Sequence, residues 1–71
     1  MSLEALAHID AAIRDALARI DRQRHFVEDF ASRGYDVRAP LSLLSCLLVN
    51  LRRLERQRHD ITAEIEEVVS V

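Results

Sequence analysis

A seven-residue phrase that occurs twice limits the folds open to this chain. Residues 19–25 read R-I-D-R-Q-R-H and residues 53–59 read R-L-E-R-Q-R-H, so five positions are identical and two change conservatively. Each copy lies in a long stretch whose apolar residues recur every three or four positions, the period of an amphipathic helix. One break, containing Gly34 and Pro40, separates the stretches. The sequence therefore predicts two similar helices joined by one short turn.

The first helix is predicted over about residues 2–33. Ser2 is a competent N-cap, and Glu4 is placed to interact favourably with the helix dipole. Gly34 can take the left-handed conformation that follows many helices, so the helix should end near Arg33. Its predicted apolar seam consists of Leu6, Ile9, Ile13, Ala16, Ile20, Gln23, Val27 and Phe30.

The turn is predicted at residues 34–36 and the second helix over about 37–69. Asp36 can cap this helix, but Pro40 disfavours the α conformation at Ala39, so regular structure should begin between residues 37 and 40. A connection this short makes the helices antiparallel neighbours. The second seam consists of Leu44, Leu47, Leu51, Leu54, Arg58, Ile61, Ile65 and Val68. Gln23 and Arg58 interrupt the two seams. We expect a structural role for both, since a polar seam residue can fix the register or the oligomer state; Arg58 can instead extend to solvent and bury only its aliphatic stem.

The small size of the chain favours self-association. It has 71 residues, so it forms a single domain over 1–71, and a core in so short a chain rarely supplies more than about 3–5 kcal/mol. Cys46 is the sole cysteine, which excludes an intrachain disulfide, and its apolar neighbours predict a buried thiol.

The apolar segment at residues 41–51 predicts the contact between chains. Its leucines point in nearly every direction around a helix, and a helix that is apolar all round must be covered all round. One neighbouring helix cannot do this. We therefore expect an all-α homodimeric four-helix bundle of the coiled-coil type, with an interface formed by Leu44, Leu47, Leu48 and Leu51.

An arginine-rich belt supports an alternative function. Its members are Arg19, Arg22, Arg24, Arg52, Arg53, Arg56 and Arg58. Arg19, Arg22, Arg53 and Arg56 are the candidate ligands for phosphate or nucleic acid. However, the net charge is −2, and acidic residues such as Asp15, Glu28 and Asp60 stand four positions from belt arginines. We expect these pairs to neutralise each other, and the interleaved aromatic residues that would stack on bases are missing.

The three histidines do not predict a metal site. Glu4–His8, Asp21–His25 and Glu55–His59 are each four residues apart, which places each pair on one helix face. A metal site needs three or four converging ligands, whereas two-residue pairs are expected to form local hydrogen bonds. We therefore expect no metal, no cofactor and no catalytic residue; a metal-binding or catalytic bundle is a distant third hypothesis.

Targeting signals are not evident in the sequence. The first residues lack the basic region and apolar core of a signal peptide, and the 41–51 segment is shorter than the roughly 20 residues of a membrane span. The expectation is a cytoplasmic protein without membrane contact.

The chain resembles small uncharacterised helical-hairpin proteins of α-proteobacteria. The resemblance rests on residues 19–24 with their R-Q-R element, on Gly34-Tyr35-Asp36, on the Leu43-Leu44 pair and on Arg58-His59. Pro40 departs from the alanine-rich start of helix 2 in that family. The resemblance implies a helical hairpin and no known activity. The leading hypothesis is a non-enzymatic homo-oligomer that acts as a regulatory or adaptor module, with itself and possibly another protein as partners.

Overall fold

The chain forms an antiparallel helical hairpin, as the sequence predicts. The computed structural model describes residues 3–69, in which helix α1 spans Leu3–Ser32 and helix α2 spans Arg38–Val69. The two helices pack along their length into a rod of 59 × 15 × 12 Å. Helix α1 ends one residue before the predicted position, and α2 begins within the predicted window. Ser2, the predicted N-cap, lies outside the described residues.

The turn begins with a Schellman motif that closes the C-terminus of α1. Tyr35 donates its backbone N–H to the carbonyl of Phe30 at 3.0 Å, and Gly34 donates to the carbonyl of Ala31 at 3.0 Å. This geometry needs a left-handed residue, and Gly34 has φ = +78°. The rings of Phe30 and Tyr35 stack edge to face at 5.0 Å, which supplies the apolar contact that accompanies the motif.

Asp36 caps the start of α2. One carboxylate oxygen accepts the backbone N–H of Arg38 at 3.0 Å, and the two oxygens also accept side-chain N–H groups of Arg38 at 2.7–3.1 Å. Pro40 lies in the first turn, where a missing N–H leaves no helix bond unmade. The side-chain hydrogen bonds from Arg38, and then its backbone hydrogen bond, lower the pKa of Asp36 below its ordinary value of 3.8.

Only a narrow line of the described residues is buried between the helices. Ile9, Ala16 and Ile20 of α1 are at most 8 % exposed, and Pro40 is buried at the start of α2. The remaining predicted seam residues of α1 are partly buried. The same holds for the seam of α2 except Arg58 and Val68, which are exposed. The predicted seams are therefore the helix faces that contact each other, but each helix buries only a small part of the other's seam.

Two hydrogen bonds cross the seam and set its register. Gln23 donates from Nε2 to the carbonyl of Pro40 at 2.9 Å, near the turn. Arg58 donates from Nε to Asp10 at 2.6 Å, toward the open end of the hairpin. Both donors are the polar residues that interrupt the apolar seams. Each finds a partner on the other helix, so a slip in register would break a hydrogen bond near both ends.

The apolar segment at residues 41–51 is only partly covered within the hairpin. Leu41, Leu43 and Val49 are 44 %, 51 % and 61 % exposed. Cys46, predicted to be buried, is also exposed. The reason is geometric: one neighbouring helix covers a single face of α2, and these side chains point elsewhere. Composition alone suggested a buried thiol, and the hairpin supplies no second neighbour.

Replacement of Gly34 tests the turn. A Cβ built at Gly34 has no atom within 4 Å, so steric contact is not the obstacle. The cost of Gly34→Ala is instead the left-handed backbone, roughly 1–2 kcal/mol. Asparagine tolerates this conformation better, so Gly34→Asn should cost less although its side chain is larger. Urea unfolding followed by circular dichroism measures both; an alanine variant as stable as the asparagine variant would contradict this account.

Replacement of Asp36 tests the cap through pH. Because the pKa of Asp36 is lowered in the folded chain, its carboxylate stabilises the fold above about pH 4, and this contribution is lost as pH falls through the folded-state pKa. The Asp36→Asn variant keeps a side chain that can cap the helix but cannot titrate. The free energy of unfolding of the natural chain and of this variant is measured at one protein concentration between pH 7 and pH 3. The natural chain should be the more stable of the two at pH 7, and the difference should shrink toward pH 3. A difference independent of pH would show that the charge is irrelevant.

Candidate functional site

One side of the seam carries a groove edged with arginines. Two adjoining cavities of 370 and 290 Å³ are lined by both helices and share Arg19 and Leu47. Their other lining residues are Ala12, Asp15, Ala16, Arg22, Gln23 and Phe26 of α1, with Leu43, Asn50, Arg53 and Leu54 of α2. We call this surface the arginine groove. A third cavity of 520 Å³, lined by Ala5, His8, Ile9, Gln57, Asp60 and Ile61, lies nearer the open end of the hairpin.

The other side of the seam carries a stripe of apolar side chains that polar residues interrupt toward the open end of the hairpin. Ile13 lines a cavity there together with Glu55, Arg58 and Thr62. Residues at spacings of three, four and seven share a helix face, so this side also presents Leu6 and Leu17 of α1. From α2 it presents Leu41, Leu44, Leu48 and Leu51, each four, seven, eleven or fourteen residues before Glu55. We call this surface the leucine face, defined by Leu6, Ile13, Leu17, Leu41, Leu44, Leu48 and Leu51.

The predicted interface leucines are divided between the two surfaces. All four are partly buried in the hairpin. Leu44, Leu48 and Leu51 belong to the leucine face, whereas Leu47 contributes to the arginine groove. Leu41 and Leu17, 44 % and 50 % exposed, extend the leucine face beyond the predicted set. The 3-4-3 spacing of Leu41, Leu44, Leu48 and Leu51 was the available sequence signal, but the all-round apolar segment concealed it.

The arginine belt is likewise divided. Arg19, Arg22 and Arg53 line the groove. Arg56 instead lines a depression with Val49, Arg52, Glu55 and His59, all from α2, on the outer surface of that helix. The four candidate phosphate ligands therefore do not form one surface.

The predicted ion pairs of the belt do not form. Asp15–Arg19, Arg24–Glu28 and Arg56–Asp60 are absent from the ion pairs of residues 3–69. An exposed pair at this spacing gains only about 0.3–0.5 kcal/mol, which is little against the entropy of two long side chains. Arg53 donates instead to the Asn50 side chain at 2.7 Å. The guanidinium groups of Arg19 and Arg22 have no partner among the described residues.

The surface area of the hairpin is large for its mass. It exposes 5562 Å², whereas a compact 8.1 kDa monomer exposes roughly 4,500 Å². Its radius of gyration is 16.6 Å, against about 11 Å for a compact chain of this length. The excess of roughly 1,000 Å² is close to the ~800 Å² per partner that a standard protein interface removes.

The histidines stay apart from one another. Among residues 3–69, no group of three or more His, Cys, Asp or Glu side chains is placed to hold a metal ion. Of the three predicted pairs, only Asp21–His25 comes close, with 3.7 Å between His25 Nδ1 and the carboxylate, and both side chains are about 70 % exposed. His8 and His59 line different cavities, and neither forms a hydrogen bond or ion pair with its predicted carboxylate partner.

Comparison with family models, curated proteins and solved structures finds no match to this chain. The resemblance to α-proteobacterial hairpin proteins therefore stays a prediction. Neither helix, over the described residues, combines the length and apolar character needed to cross a bilayer.

The division of the belt predicts weak binding to nucleic acid. Only three arginines share the groove, so few phosphates can be neutralised together, and affinity should be lost at physiological salt. Fluorescence anisotropy with labelled duplex DNA and single-stranded RNA should give no saturation at about 150 mM salt and micromolar protein. Saturable binding that Arg22→Ala combined with Arg56→Ala abolishes would favour the phosphate-binding alternative.

Proposed function

We propose that the protein is a non-enzymatic homodimeric four-helix bundle that acts as a small adaptor or regulatory module through protein contacts. The observation that carries this proposal is the leucine face, whose side chains are only half-buried or are exposed within the hairpin. It runs along both helices on one side of the seam, while the described residues that are nine-tenths or more buried are confined to a narrow line.

A second copy is the occupant that suits the leucine face. Burial of apolar area contributes about 25 cal/mol per Å², and the excess exposed area matches one side of a standard interface. The stripe Leu41, Leu44, Leu48 and Leu51 has the spacing that packs knobs into holes between paired helices. Two hairpins joined through this face complete a four-helix bundle and place the leucine-face side chains of both copies in one core.

A bundle of this kind supports an adaptor role because dimerisation uses only one side of the hairpin. The arginine groove lies on the opposite side and stays accessible in each copy. A symmetric dimer therefore presents two equal grooves on a rigid rod, the arrangement that a bivalent adaptor needs.

Leu48→Glu and Val49→Glu form a matched pair that tests the dimer. Position 48 lies on the leucine face, whereas Val49 is 61 % exposed and lines a depression formed by α2 alone. A carboxylate at position 48 would be buried against its own copy, so we expect dimer affinity to fall roughly 100-fold or more. Val49→Glu should leave the dimer intact. Sedimentation equilibrium measures both variants.

A second variant guards against simple unfolding of the hairpin. Leu41 is 44 % exposed within the hairpin, whereas Leu48 is partly buried. Leu41→Glu should therefore separate the copies with a smaller loss of helix content, measured by circular dichroism, than Leu48→Glu. A natural chain that sediments as a folded monomer at about 100 μM would overturn the proposal, as would equal dissociation by Val49→Glu.

A further inference from the structure

The arginine groove has the length and shape of a site for one additional helix. It extends along α1 from Ala12 to Phe26, which is about 21 Å at 1.5 Å per residue. It lies between two antiparallel helices, the position in which a third helix packs in a bundle. The spacing of its walls is held by the seam and by the bond from Gln23 to the Pro40 carbonyl.

The floor of the groove is apolar. Phe26 and Leu43 are 46 % and 51 % exposed, and they face each other across the turn-proximal cavity. Leu47 and Leu54, both partly buried, continue the floor toward the open end, beside the buried Ala16. A row of apolar side chains along a concave surface is covered favourably by apolar side chains of a ligand. A phosphate backbone has no such groups. The floor therefore favours a protein helix over a nucleic acid.

The edges of the groove are positively charged. Arg19 and Arg22 stand on the α1 wall, and neither is paired within the described part of the chain. Arg53 stands on the α2 wall, where its bond to Asn50 involves a neutral amide and leaves the charge uncompensated. Asp15 is the one carboxylate in the lining of the two cavities. The groove thus presents three arginines to an occupant and opposes them with one acidic residue.

We propose that the arginine groove binds an acidic amphipathic helix of a partner protein. The apolar stripe of this helix would lie on Phe26, Leu43 and Leu47, and glutamates or aspartates on its flanks would pair with Arg19, Arg22 and Arg53. Guanidinium groups suit this role because they pair with carboxylates in a bidentate geometry. The inference rests on the proposed function, since it names the class of partner for the adaptor.

A library of displayed helix-forming peptides of about 16 residues, with variable polar flanks and a leucine stripe, tests the proposal. The natural dimer should enrich peptides with acidic flanks, and a synthesised selected peptide should bind saturably. Arg19→Gln combined with Arg22→Gln should weaken binding about tenfold or more, and the weakening should diminish at high salt. A version of the peptide with lysine in place of each acidic residue should not bind.

Arg52→Gln combined with Arg56→Gln is the matched control. It removes the same charge from the outer surface of α2, so binding should change less than about twofold if the groove is the site. Sedimentation of every variant separates this test from the dimer: loss of peptide binding with an intact dimer concerns the groove alone, and Leu48→Glu concerns the leucine face alone.

Other outcomes would overturn the proposal. If no peptide is selected, or if the selected peptides are not enriched in acidic residues, the charge argument fails. If the control pair weakens binding as much as the groove pair, the groove is not the binding site. Tighter binding of duplex DNA than of the selected peptide would replace the helix with nucleic acid. Assembly beyond a dimer that is lost in Arg19→Gln combined with Arg22→Gln would make a further copy the occupant, through the acidic end of its own α2.

Discussion

The packing of one helix face against another is the constraint on which the rest of this molecule depends. Ile9, Ala16 and Ile20 are buried because α2 lies over them, and few other described side chains are so well covered. Two helices have only one line of contact, so every apolar residue more than a quarter turn from that line remains near solvent. Both proposed surfaces arise in this way, one on each side of the seam.

Polar groups near the ends of the seam give the hairpin a single register. Gln23 and Arg58 occupy positions where an apolar residue would add burial, yet each donates a hydrogen bond to the opposite helix. The bond from Arg58 to Asp10 joins half-exposed groups, so its contribution to stability is small. Its value lies in specificity, because a uniform leucine seam could slide by a heptad. A fixed register is what keeps the leucine face and the arginine groove continuous across two helices.

The leucine face and the arginine groove suit occupants of different chemistry. The leucine face is largely apolar, so the second copy that we propose as its occupant would place leucine against leucine. The arginine groove combines an apolar floor with charged edges, so a second groove would bring like charges together. In the proposed assembly, charge therefore distinguishes self-recognition from recognition of a partner.

Local sequence signals determined the helices and the turn. Gly34 and Asp36 act within a few residues of themselves, and the helical period is visible without any structure, so the hairpin could be predicted from these positions. The exposure of Cys46 and the surfaces on which Leu47 and the belt arginines lie could not be predicted in this way. Their surroundings depend on the angle at which each side chain leaves its helix and on which directions α1 covers. Leu47 and Leu48 are adjacent in sequence yet lie on opposite sides of the seam, because one residue turns the helix by about 100°. Only the packed hairpin decides which side each residue occupies.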